Sequence, residues 1–122
     1  WDVNDRTRNL GERFLKRTGR MPNMIQAGTY SATLSYLKAV KAAGTKDSDA
    51  VAKKLKELPV DDAFAQGKVQ ENGRMVHDMY LFEVKKPSES KGRWDDYKLL
   101  ATVPGDQAFQ PLADSRCPLV KK

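Results

Sequence analysis

Apolar residues recur at steps of three and four through residues 22–44, which is the spacing of one face of an α-helix. These apolar positions are Ala27, Tyr30, Leu34, Leu37 and Val40. Pro22 suits a first helical turn, where its missing N–H costs little, and Gly44 suits the residue just past the end. The other face, expected to be polar and solvated, carries Ser31, Ser35, Lys38 and Lys41. The pattern predicts a long central helix that the rest of the chain packs beside or continues from.

Two shorter helices are predicted on either side of the central one. Asn4 or Asp5 can cap a helix over about residues 5–18, which Gly19 ends. Asp47 or Ser48 can cap another over about residues 48–58, and Pro59 stops it. The first half of the chain is therefore predicted to be three helices joined by short loops.

The second half changes from a helical period to strand-like runs. Residues 59–67 are expected to form an irregular loop, and Asn72-Gly73 is a strong signal for a tight hairpin turn. Residues 79–84 are apolar except for Glu83, which predicts a strand covered on both faces. Residues 97–103 predict a second strand, residues 85–96 an exposed loop, and residues 106–109 a short helical turn. The predicted fold class is an α/β fragment with three helices, a hairpin and two longer strands.

The predicted sheet is too small to stand alone. Two or three short strands make a poor independent sheet, so the run at residues 79–84 requires neighbours that this sequence does not supply. The chain also opens at Trp1 without a methionine. We therefore expect it to be part of a longer protein.

Composition and charge indicate an ordinary globular surface. The chain has 122 residues, 39% of them hydrophobic and 31% charged, and a formal charge of +6. The basic residues alternate with acidic ones and form no like-charged block, so we expect no nucleic-acid partner. Trp94 and Tyr97 beside Arg93 and Lys98 resemble a basic-aromatic platform for single-stranded nucleic acid, but packing of the loop onto the sheet is the favoured interpretation. No apolar run approaches the roughly 20 residues of a membrane span.

Catalytic motifs are scarce. The sequence has no glycine-rich phosphate loop, no GxSxG, no HExxH and no CxxC, so no cofactor, metal or enzymatic activity is expected. The acidic pairs Asp61-Asp62 and Asp95-Asp96 are interpreted as solvated turn residues. His77 is followed by Asp78, but neighbours in a strand point to opposite faces, so His77 is expected to be a hydrogen-bonded surface or edge residue.

An ordered series of segments carries a family resemblance. The second half contains NGRMVHDMYLFEVKKPSESKGRWDDYKLLATVPGDQAF, and the first half contains FLKRTGRMP followed by AGTYSATLSYLKAVKAAGTKD. Together they resemble the C-terminal part of ABC-transporter substrate-binding proteins of the periplasmic branched-chain amino-acid binding family, which has the type I periplasmic-binding-protein fold. The resemblance covers essentially the whole chain.

The resemblance implies a place for this chain in a larger fold. Members of the family have two α/β lobes joined by three crossovers, with the ligand enclosed between them. This chain would be the last third. Residues 1–66 would form the helical part of the N-terminal lobe, and residues 67–122 the crossover and the terminal strands. The parts of the fold that lie outside this chain would then supply the neighbours of the predicted strands.

The resemblance also implies a function. The parent would be the substrate-binding component of an ABC importer, taking branched-chain amino acids or related small amino-acid, amide or organic-acid solutes without chemistry. Its partners would be the solute and a membrane permease, and it would be secreted to the periplasm. The alternative is a ligand-sensing domain of the same fold in a regulator or receptor, whose parent would carry a DNA-binding or kinase segment elsewhere.

Few site residues carry over from the family. Tyr30 of GTYSA matches a helix-start tyrosine that lines the ligand cleft in amino-acid-binding relatives, and Thr29 and Gln26 are its weaker neighbours. Read from the residues alone, Tyr30 can equally be a packed groove aromatic. From the residues alone, the single cysteine, Cys117, is either free or paired outside this chain, and the resemblance implies pairing with a cysteine upstream of Trp1. An isolated fragment is expected to self-associate through its open strand edge.

Overall fold

The computed structural model describes residues 2–120. Its first helix is capped at both ends. Helix α1 (Asp5–Thr18) starts after Asn4, whose side-chain oxygen accepts from the Thr7 N–H while the Thr7 hydroxyl accepts from the Asn4 N–H. This reciprocal pair satisfies two backbone donors that would otherwise lack partners. Gly19 ends the helix with a φ of 75°. The predicted bounds of this helix are confirmed.

The central helix, α2 (Met24–Ala43), starts two residues later than Pro22. The Asn23 side chain accepts from the N–H groups of Ile25 and Gln26, and the Gln26 Oε1 accepts from the Asn23 N–H. The prediction that Pro22 occupies the first helical turn is therefore wrong, because Asn23 is the cap. The third helix, α3 (Ser48–Glu57), is capped by Asp47 and is one residue shorter than predicted.

A three-stranded antiparallel sheet follows the helices in the order β1-β2-β3. The strands are β1 (Pro59–Asp61), β2 (Gln66–Val69) and β3 (Met75–His77). The prediction of an irregular loop over residues 59–67 is therefore wrong, because a three-residue strand is too short to show a period in the sequence. The predicted hairpin turn is confirmed, with Gly73 at a φ of 80° between β2 and β3.

The two longer strands form a separate antiparallel pair, β4 (Met79–Val84) and β5 (Tyr97–Val103), with a register irregularity between Leu81 and Phe82. Both predicted strands are confirmed. All residues of both strands are exposed in the chain. The expected cover on both faces of β4 is therefore not supplied by the described residues.

The buried core is small and lies on one side of α2. Its apolar members are Ala39, Val51 and Val60. Ser31 is also buried, at 5% exposure, so its predicted place on a solvated polar face is wrong. Tyr30 and Leu37, which belong to the predicted apolar face, are exposed. Helix α2 therefore packs within this chain through small side chains and leaves its larger apolar face open.

The tail completes the chain with a short helix, α4 (Gly105–Ala108), and a 3-10 turn at Leu112–Asp114. Gly105 is buried, and its N–H donates to Asp78 Oδ1 at 3.0 Å. A side chain at this position would meet the backbone of His77. Glycine thus allows α4 to lie directly against the end of β3.

Candidate functional site

An open groove of about 570 Å³ is lined by side chains of α1 and α2. Most of its lining is apolar and includes Leu10, Phe14, Ala27, Leu34 and Leu37. Gln26, Thr29 and Tyr30, the three residues singled out in the sequence, all line the same groove. An apolar cavity with a few polar groups at its wall is the usual form of a small-molecule site.

The three candidate residues differ in how their polar groups are used. Gln26 Oε1 accepts from the Asn23 N–H at 3.0 Å, and Thr29 Oγ1 donates to the Ile25 carbonyl at 2.9 Å. Both groups therefore serve the first turns of α2. Tyr30 is 37% exposed, and its hydroxyl makes no hydrogen bond to another residue in the described range 2–120. Tyr30 thus has a polar group available for a ligand.

Asp62 is a buried acid, at 8% exposure, and not the solvated turn residue that the sequence predicted. Its Oδ2 accepts from the Ser31 hydroxyl at 2.7 Å. Its Oδ1 accepts from the N–H groups of Phe64 at 2.8 Å and Ala65 at 3.2 Å. No local pattern could have revealed this role, because Ser31 lies 31 positions away in the sequence.

Asp61, the neighbouring acid, forms an ion pair with Arg6 of helix α1. Its Oδ1 lies 2.6 Å from Arg6 Nη1 and 3.2 Å from Gln66 Nε2. The hydrogen bond from the Arg6 guanidinium, followed by that from Gln66, lowers the pKa of Asp61. Arg6 and Gln66, but not Asp61, line a crevice of about 390 Å³ that also includes Asp62, Asp78 and Tyr80. Asp61 at the end of β1 and Asp62 just after it therefore connect this part of the chain to α1 and α2 separately.

His77 and Asp78 do not form a catalytic pair. The His77 ring packs edge-on to Phe64 and Phe109, with centroids 5.2 and 5.5 Å apart. Its Nδ1 donates to the Asp78 carbonyl at 2.7 Å, whereas the Asp78 carboxylate accepts from the Gly105 N–H. Among residues 2–120, no group of three or more His, Cys, Asp or Glu side chains is arranged to hold a metal ion.

The loop between β4 and β5 is closed by an ion pair. Lys85 Nζ lies 2.6 Å from Asp95 Oδ1, and the Lys91 N–H donates to Asp95 Oδ2 at 2.8 Å. Asp95 is therefore half-buried and paired, which corrects its prediction as a solvated acid. The Arg93 guanidinium lies 4.7 Å from the centroid of the half-buried Trp94 ring.

Cys117 is half-buried, and its N–H donates to Ser115 Oγ at 3.3 Å. Its pairing with a cysteine outside the chain stays a prediction.

No helix in the described part of the chain is long and apolar enough to span a bilayer.

The family is shown by comparison with known proteins. Residues 1–93 match the model of a family described as periplasmic binding protein. Because this match covers well over half of the chain, the chain belongs to the periplasmic binding protein family. Members of this family bind solutes and are not enzymes. The resemblance noted in the sequence is confirmed.

Two solved structures give the fold and the scale. A periplasmic binding protein from Burkholderia mallei is 48% identical over 99% of this chain, with a TM-score of 0.95. A branched-chain amino acid ABC transporter periplasmic ligand-binding protein from Burkholderia xenovorans is also 48% identical over 99% of this chain, with a TM-score of 0.94. This chain spans 32% and 33% of those chains, so it corresponds to about a third of their fold. A search of curated proteins found no match.

Proposed function

We propose that this chain is the last third of a periplasmic solute-binding protein that serves an ABC importer. The solute would be a branched-chain amino acid or a related small amino acid, amide or organic acid, bound without chemistry and passed to a membrane permease. The observation that carries the proposal is the 48% identity, over 99% of the chain, to the B. xenovorans ligand-binding protein. No catalytic arrangement among the described residues favours an enzyme.

Open apolar surface on both parts of the chain supports a place inside a larger, two-lobed fold. Residues 1–66 would belong to the N-terminal lobe, and residues 67–122 would contain the crossover and the terminal strands. The first part leaves the groove beside α2 open, and the second leaves both faces of β4 and β5 open. Exposed apolar areas of this extent mark surfaces that are covered in the complete assembly. The rest of the parent would cover the strands and would close the groove over the solute.

Tyr30 would form one wall of the solute site. Its ring would contact the apolar part of the solute, and its hydroxyl would bind a polar group of the solute. Thr29 and Gln26 would contribute by shaping the wall, because their polar groups already bind the backbone of α2 and its cap.

Two further proposals concern Cys117 in the complete parent and the association of the isolated fragment. Cys117 would form a disulfide with an upstream cysteine in the oxidising periplasm, which peptide mapping without reduction would detect. The isolated fragment would associate through the open edges of β4 and β5. Size-exclusion chromatography with light scattering tests the association, and a monodisperse monomer would contradict it.

A thermal-shift screen of the full-length parent tests the function. Ligands that bind only the folded state raise the unfolding midpoint by mass action. The panel should contain branched-chain, aromatic and acidic amino acids, amides and small aromatic acids. We expect one class to raise the midpoint, and no shift with any class would count against a solute in this range. Stimulation of the cognate permease ATPase by the loaded protein then separates an importer component from a sensor of the same fold.

A further inference from the structure

A buried hydrogen bond between Ser31 and Asp62 links α2 to the turn that follows β1. Both residues are more than nine-tenths buried, and the donor–acceptor distance is 2.7 Å. The remaining carboxylate oxygen accepts two N–H groups of the turn after β1. Asp62 is thus held rigidly by its own turn and presents one oxygen to the helix.

The buried face of α2 carries only small side chains. Its fully covered side chains are Ser31 and Ala39, which are both small. Helix α2 packs against α3, and small side chains give that contact few interlocking points to fix the rotation of the helix about its axis. A directional hydrogen bond to a fixed acceptor can define that rotation, since successive helical residues point about 100° apart.

We propose that Asp62 is a positioning residue for the groove: through Ser31 it sets the rotation of α2 and so directs the neighbouring Tyr30 toward the solute. This inference rests on the proposed function only in assuming that Tyr30 contacts the solute. The Lys38 ammonium, two turns further along α2, donates to the Asp61 carbonyl at 3.4 Å and supports the same setting. The Asp61 carboxylate binds Arg6 of α1 instead.

Fluorine NMR of the full-length parent labelled with 3-fluorotyrosine tests this inference directly. Tyr30→Phe assigns the Tyr30 resonance. We expect Asp62→Ala to shift or broaden that resonance, and Asp62→Asn to keep it near the wild-type position because the amide still accepts from the turn and donates to Ser31. Asp61→Ala is the matched control, since it removes the adjacent acid and keeps the hydrogen bond between Asp62 and Ser31.

Titration with L-leucine as the probe gives the functional readout. We expect Asp62→Ala to weaken binding roughly tenfold, with Asp62→Asn and Asp61→Ala within about twofold of wild type. A Tyr30 resonance and an affinity in folded Asp62→Ala that match those of Asp61→Ala would overturn the inference. If the wild type does not bind L-leucine, the solute assignment fails for this probe, and the fluorine spectrum still decides the positioning role.

A second pair of variants covers the case in which Asp62→Ala does not fold. Ser31→Thr keeps the hydroxyl and Ser31→Ala removes it, while both change the same neighbour of Tyr30. We expect the Tyr30 resonance to move in Ser31→Ala and to remain near the wild-type position in Ser31→Thr. Equal spectra for the two variants would contradict the proposed role of the hydrogen bond.

Discussion

Lys85 Nζ lies 2.6 Å from Asp95 Oδ1, and this ion pair joins the two ends of the loop between β4 and β5. The two side chains are 18% and 20% exposed, so solvent and salt screen the pair less than a surface pair. The Lys91 N–H binds the second carboxylate oxygen. The Asp95 carboxylate therefore binds both Lys85 and the Lys91 backbone, beside a backbone hydrogen bond from the Lys85 N–H to the Asp96 carbonyl at 2.9 Å.

The first prediction concerns the pH dependence of stability at Asp95. Its pKa is lowered, chiefly by the hydrogen bond from Lys85 and then by that from the Lys91 backbone. A carboxyl group with a lowered folded-state pKa stabilises the fold above its unfolded pKa of about 4, and the contribution is lost as the pH falls through the folded value. We expect Asp95→Asn to lower the thermal midpoint at pH 7, with a smaller difference at pH 3. Asp96→Asn is the control, and an equal effect there would contradict the role of the pair.

The second prediction concerns Tyr30. We expect Tyr30→Ala in the full-length parent to weaken solute binding by roughly tenfold or more, because it removes the aromatic wall and the hydroxyl together. Tyr30→Phe should lose less, since it keeps the ring. Tyr36→Ala is the matched control, an exposed tyrosine on the same helix that does not line the groove. Isothermal titration calorimetry measures all three, and equal losses in the two alanine variants would refute the assignment.

The third prediction compares a valine buried in this chain with one that only the complete parent would cover. Val60 is 5% exposed and Val84 is 70% exposed. We expect Val60→Ala to lower the free energy of unfolding by about 2 kcal/mol wherever it is measured. Val84→Ala should cost less than about 0.5 kcal/mol in the isolated chain, and clearly more in the parent. Urea unfolding of both proteins provides the comparison, and a neutral Val84→Ala in the parent would count against the proposed cover.

The fourth prediction compares a glycine that has no room for a side chain with one that has room. A side chain at Gly67 would collide with the Val76 carbonyl across the β2–β3 pair, whereas one at Gly28 in α2 meets nothing nearby. We expect Gly67→Ala to lower the free energy of unfolding by about 2 kcal/mol. Gly28→Ala should raise it by about 0.5–1 kcal/mol, because alanine favours the helix. A destabilising Gly28→Ala would show that the rest of the parent packs closely on that side of α2.

Helices and long strands were predictable because their signals are local. Asn4 and Asp47 are capping residues that specify where α1 and α3 begin, and Gly19 specifies where α1 ends. The apolar runs of β4 and β5 specify their lengths in the same way. Each of these features depends on residues within a few positions of one another.

The parts that the sequence did not predict depend on distant partners. Strand β1 has only three residues, and it exists because β2 pairs with it. Asp62 looks like a turn acid until Ser31 is brought against it. The division of α2 into a buried small face and an open large one was likewise hidden, because the face that packs within this chain carries Ser31 and Lys38 and therefore looked polar. The groove residues Gln26, Thr29 and Tyr30 were singled out by family resemblance, and their contact with a solute stays a prediction.

The decisive experiment is a calorimetric titration of the purified full-length parent with the solute that gives the largest thermal shift. We expect saturable binding of one branched-chain amino acid or related small solute per protein molecule, weakened in Tyr30→Ala and unchanged in Tyr36→Ala. Absence of saturable binding by any amino acid, amide or organic acid of the panel would contradict it.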